Sequence, residues 1–96
     1  MVSAISRASR AGVLVKGDTD THAARALFLQ AMKAQDRVLQ QPPPHMYVTG
    51  VNDKGIQLDG HFWINDPENG QHNVTSDIYD AVLQSFRKNG IALVAQ

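Results

Sequence analysis

The sequence predicts an α+β domain in the order strand, helix, strand, strand, helix, strand, and three observations carry that reading. Two segments, residues 23–39 and 74–88, place apolar side chains at helical spacing. Between them, residues 46–64 alternate with period two on either side of a glycine-containing turn. Short β-rich runs bounded by glycine precede the first helix and follow the second. In one small domain this order matches the split βαβ, ferredoxin-like arrangement (βαββαβ), a four-stranded antiparallel sheet with both helices on one face. Right-handed crossovers select it over its mirror topology.

Residues 2–11 set Ala4, Ile5, Ala8 and Ala11 near helical spacing, so 1–11 reads as an N-terminal arm or short helix and 12–96 as the single ferredoxin-like domain. Residues 12–17 are β-rich with glycine at both ends, which predicts the first strand. Asp18, Thr19, Asp20 and Thr21 supply side-chain oxygens that accept from the free N–H groups of a starting helix. Ala24, Leu27, Phe28, Ala31 and Val38 then form one stripe, and the helix must stop by Gln41. Pro42-Pro43-Pro44 removes three donors and keeps the preceding residue out of the α region.

In the hairpin, Met46, Val48 and Gly50 point one way and Tyr47, Thr49 and Val51 the other. Across the turn, Ile56, Leu58, Gly60, Phe62 and Ile64 oppose Gln57, Asp59, His61, Trp63 and Asn65. The polar stretch 66–72 is a loop. Val74, Ile78, Ala81, Val82, Ser85 and Phe86 make the second helix, closed by Asn89-Gly90 as a left-handed cap, with Arg87 and Lys88 favourably placed in its last turn. Residues 91–94 are the fourth strand.

At 96 residues the chain has room for one modest core, burying about 64% of the surface its unfolded form exposes. Nine Lys and Arg balance nine Asp and Glu, so no global basic field attracts a nucleic acid. The absence of cysteine excludes a disulfide framework, a thiolate metal site and a cysteine nucleophile. Apolar runs reach only four or five residues, against the ~20 of a membrane-spanning helix. Residues 1–15 lack the continuous apolar stretch and cleavage site of a secretory signal.

His22, His45, His61 and His72 show no metal-ligand spacing. Asp77 and Asp80 sit near a helix N-terminus, where the macrodipole accounts for them. No serine lies in a GxSxG elbow, and no phosphate loop follows Gly12 or Gly17. Tyr47, His61 and Trp63 face outward on the hairpin without the RNP signature of an RNA-binding sheet. No catalytic residue, cofactor, metal, nucleic acid or small-molecule substrate is expected. With the helices on one face, the other needs a cover, and Tyr47, Val51, His61 and Trp63 are the candidate interface.

From about residue 18 to 92 the chain resembles the cytoplasmic C-terminal α/β domain of small-conductance mechanosensitive channels, the MscS family. The resemblance rests on an aspartate-initiated helix closing with Arg37-Val38-Leu39, then Pro42-Pro43-Pro44 and a valine-containing strand. It continues through Ile56-Gln57-Leu58-Asp59-Gly60-His61-Phe62-Trp63-Ile64, a Ser-Asp-bearing helix and Asn89-Gly90-Ile91. It implies a ferredoxin-like, non-catalytic domain that assembles as a homo-oligomer, in the family usually a heptamer, into a vestibule on the cytoplasmic side of the inner membrane. The channel's transmembrane helices and middle β-domain are not in this sequence, and the fragment alone is expected to be soluble.

The chain departs from that pattern at two places. His61 stands where the family commonly has arginine, and Ala92-Leu93-Val94-Ala95-Gln96 replaces an isoleucine-proline-phenylalanine-proline run. Residues 2–17 separately look like the stretch before the phosphorylation loop of heavy-metal P-type ATPases. That family's Asp-Lys-Thr-Gly-Thr nucleophile motif is missing, the one Asp-Lys being Asp53-Lys54 followed by Gly55. A fragment or chimera of that kind, and a free-standing ligand-binding ferredoxin-like module, are the alternatives.

Overall fold

The computed structural model describes residues 7–66 and 70–94. Its elements are β1 (Arg7–Val15), α1 (Thr21–Lys33), β2 (His45–Asn52), β3 (Gly55–Ile64) and α2 (Gln71–Lys88). The three strands form one antiparallel sheet in the order β1, β3, β2. Alternation sends Ala11, Val13 and Val15 of β1 and Ile56, Leu58, Phe62 and Ile64 of β3 into the core. Both helices cover that face, α1 over β2 and β3 and α2 over β1. Phe28 and Phe86 meet edge to face between the helices, with ring centroids 6.4 Å apart.

The helices follow the sequence closely along their stripes, and α1 starts at its predicted cap, whereas α2 begins at Gln71, inside the stretch read as a loop. Asp77 and Asp80 therefore lie beyond the first turn of α2, where the macrodipole no longer accounts for them. Asp20 caps α1, its Oδ1 accepting from the backbone N–H of His22 at 3.0 Å and of Ala23 at 3.2 Å. Ala24, Phe28, Ala31 and Met32 are its buried side. In α2 the buried positions are Val74, Ile78, Val82 and Phe86, a repeat of four. After it, the N–H of Ile91 reaches back to Phe86 O at 2.8 Å and that of Gly90 to Arg87 O at 3.3 Å, with Gly90 at φ +75°, a Schellman turn as the Asn-Gly pair predicts.

Three further features depart from the sequence reading. First, residues 7–11 are strand rather than helix, because β3 is long enough to pair with them as far as Arg7 opposite Ile64. Cross-strand pairing here overrides a loose helical spacing of alanines; residues 1–6 lie outside the described region. Second, α1 ends at Lys33, and Val38 leaves the helical stripe to form a bridge with Ile64, followed by the N–H of Leu39 on Trp63 O at 2.8 Å. Val38 is still buried, so it is an apolar residue that serves the core from a sheet edge instead of a helix.

Third, the sheet has three strands among the described residues, where four are expected. The segment after Gly90 meets β1 only at the bridge between Val15 and Leu93, flanked by Lys16 N–H on Ala92 O at 3.1 Å and Val94 N–H on Leu14 O at 2.9 Å. The four described residues beyond the turn accommodate one bridge and no ladder.

Side chains from the helices close parts of both sheet edges. The Tyr79 hydroxyl on α2 accepts from the Gly12 N–H at 3.0 Å, and the Arg25 Nε–H on α1 donates to Met46 O at 3.2 Å. Arg37 clamps two loops together. Its Nε–H donates to both Asp66 carboxylate oxygens, at 3.0 and 2.8 Å, while its terminal nitrogens donate to Gly70 O at 2.8 Å and Asp66 O at 3.0 Å.

Candidate functional site: the outer face of the sheet

The face turned away from the helices is built in rows fixed by strand register. Arg10, His61 and His45 lie side by side across the three strands, and the next row holds Gly12, Asp59 and Tyr47. Beyond His61, Trp63 lies opposite Ala8. Tyr47 is 49% exposed, and its ring packs edge to face on His61 at 5.2 Å and tilted against His45 at 6.0 Å. The predicted residues Tyr47 and His61 are therefore brought together, joined by His45.

Val51 is placed elsewhere. The ladder slips by one residue between Val48 and Gly50, so Val51 opposes Ile56 and sits on the helix-side register beyond the cover of the helices, 74% exposed. An inserted residue reverses the face of everything after it. Strict alternation from Tyr47, which ignores the slip, puts Val51 on the wrong face. Trp63 is on the outer face as alternation requires, but it is half-buried within the single chain rather than open to water.

Asp59 is the residue that sequence reasoning missed. It is 7% exposed although it points away from the core. Its Oδ2 accepts from the Thr49 hydroxyl at 2.6 Å and its Oδ1 from Gln57 Nε2 at 3.3 Å. A carboxylate can be buried here because β1 carries no side chain opposite it: a Cβ on Gly12 would collide with Asp59 Oδ1. The signal lay in the pairing of Gly12 with Asp59, which a single strand's pattern does not reveal. Among the described residues no buried side-chain polar atom lacks a partner, and no group of three His, Cys, Asp or Glu gathers as a metal site.

An open groove of about 730 Å³ lies at the end of the sheet between the start of α1 and the chain after α2, lined by Lys16, Asp18, Asp20, Leu27, Asn89 and Ile91 among others. Its charged lining residues are all exposed, and Asp20 is engaged as the α1 cap. No helix among the described residues is long and apolar enough to cross a membrane.

No family model and no curated protein matches the chain by sequence. Solved structures do match by fold. The crystal structure of Helicobacter pylori MscS in its closed state superposes with a TM-score of 0.84 at 14% identity, over 95% of this chain and 36% of the channel chain. The cryo-EM structure of Arabidopsis thaliana MSL1 gives 0.80 at 16% identity, over 95% of this chain and 34% of its own. Both are mechanosensitive channels of the MscS type. The chain shares its α+β fold with about a third of each of them.

Residues 7–15, most of the stretch that looks like a P-type ATPase, are the β1 strand of this sheet and pair with β3 along their whole length. They belong to the same folded unit as the residues that resemble MscS.

Proposed function

We propose that this chain is a non-catalytic assembly domain of a mechanosensitive channel, of the kind that forms the cytoplasmic vestibule. The observation that carries the reading is the fold match: 95% of the chain superposes on MscS with a TM-score of 0.84, and the match coincides with a sequence pattern running from Pro42 to Ile64. On this reading residues 12–96 are one domain with 7–11 extending its first strand, and the bridge at Leu93 begins the fourth strand of a ferredoxin-like sheet. Transmembrane and middle domains precede it in the complete channel, at the cytoplasmic side of the inner membrane, and copies surround the axis as a homo-oligomer, a heptamer in the family. Tyr47, His61 and Trp63 form the interface, and Val51, on the opposite face, lies outside it.

The test is functional replacement. The chain is appended to a channel deprived of its own α/β domain, and tension-gated conductance is recorded in membrane patches. Restored assembly and gating are expected; a fusion that inserts in the membrane yet neither assembles nor gates would refute the reading.

A further inference from the structure

The element that covers the outer sheet face can be named from the charges on the molecule. This inference rests on the assembly reading and adds to it which two surfaces meet. The centre of the face is a row of one guanidinium and two imidazoles, Arg10, His61 and His45, with Tyr47 packed against the imidazoles. Every member of the row offers N–H groups to a carboxylate. Among the described residues the carboxylate on this face, Asp59, is buried and already accepts from Thr49 and Gln57. The row is therefore left facing outward.

The same chain carries the complementary surface on its opposite side. The exposed residues of α2 include Asp77 and Asp80, one turn apart in its middle, while its basic residues, Arg87 and Lys88, are confined to its last turn. Neither carboxylate, nor Arg10, makes an ion pair among the described residues. Three residues of helix advance about 4.5 Å, close to the spacing of about 4.8 Å between neighbouring strands. Laid across the strands, α2 would set its two carboxylates over neighbouring members of the row.

We infer that the outer sheet face of one copy packs against the exposed stripe of α2 of the next, with Asp77 and Asp80 set on the Arg10, His61, His45 row. The alternative contact between copies, sheet face on sheet face about a two-fold axis, offers Arg10 no free carboxylate, because Asp59 is buried and already bonded, and is disfavoured. Because the two surfaces lie on opposite sides of the chain, the contact is head to tail, which closes into a ring or runs on as a filament.

The absence of cysteine makes the contact directly testable. In the full 96-residue chain, the double variant His61→Cys with Asp80→Cys is oxidised at high protein concentration and compared with each single variant. The double variant should give a ladder of disulfide-linked multimers and neither single variant a dimer, while an equal mixture of the single variants should give a dimer. Arg10→Glu should weaken self-association about tenfold or more, and adding Asp77→Lys should restore most of the loss.

A dimer from His61→Cys alone would show the face meeting itself and overturn the inference. So would a wild-type chain that sediments as an oligomer while the double variant gives no ladder; the assembly reading would then stand with a different contact. A wild-type chain that stays monomeric to millimolar concentration overturns the inference, while the assembly reading is decided by the channel fusion.

Discussion

On the helix side of β3, Phe62 is 1% and Ile64 0% exposed; Trp63 between them is only half-buried, and His61 next to Phe62 is open to water. A glycine permits close approach on each face, and the two admit different chemistry. A Cβ on Gly60 would collide with the Phe28 ring, whereas one on Gly12 would collide with the Asp59 carboxylate. The inner face is thus filled by shape, ring against backbone. The outer face is held by directed hydrogen bonds around a buried charge. Shape-filled surfaces lose stability with volume, and bonded ones lose it with geometry.

The substitution with the largest expected effect is Phe62→Ala, which should cost about 3 to 5 kcal/mol in a urea unfolding series, as a truncation at a closed core site. Gly12→Ala should cost about 1 to 3 kcal/mol by overpacking. If the Asp59 carboxylate is the obstacle, that cost should shrink in an Asp59→Ser background, giving a clear coupling energy in the double-mutant cycle. An unchanged cost would place the strain in the backbone instead.

Trp63→Ala should fall between the faces. Its half-burial predicts about 1 to 2 kcal/mol of monomer stability, below Phe62→Ala, with a further loss of self-association seen by sedimentation. Equal destabilisation by both substitutions would erase the distinction between the faces. The smallest expected effect is that of Tyr47→Ala, within about 0.5 kcal/mol for an exposed side chain. Its consequence should appear in association and not in the denaturation midpoint.

Much of this contrast is legible in the sequence because β3 alternates without interruption. Ile56, Leu58, Phe62 and Ile64 announce the buried face on their own, and the repeat of Val74, Ile78, Val82 and Phe86 does the same for α2. What escapes is whatever depends on a second strand. The slip near Thr49 moves Val51 to the other face, and nothing in residues 46–51 marks it. Val38 satisfies a helical stripe and a sheet bridge equally well as an apolar residue, so its sequence position does not choose. The burial of Asp59 requires the absence of a side chain forty-seven positions earlier, at Gly12. Pairwise geometry of that kind is not written in any local pattern.

The Arg37 clamp bears on how the molecule opens. One partly buried guanidinium, 27% accessible, holds the turn after α1 to both Asp66 and Gly70, the described flanks of the loop before α2. The turn cannot swing out without releasing that loop, and beside it the Leu39 N–H is bonded to Trp63 O. These shared bonds predict that the segments open together, below the free energy of global unfolding. Amide protons of Val38 and Leu39 should exchange with a common protection factor, lower than those of Phe28 and Leu58 in the core elements. Raising the salt concentration screens this partly exposed pair in part, so exchange at both amides should quicken modestly and in step while the core amides hold their rates.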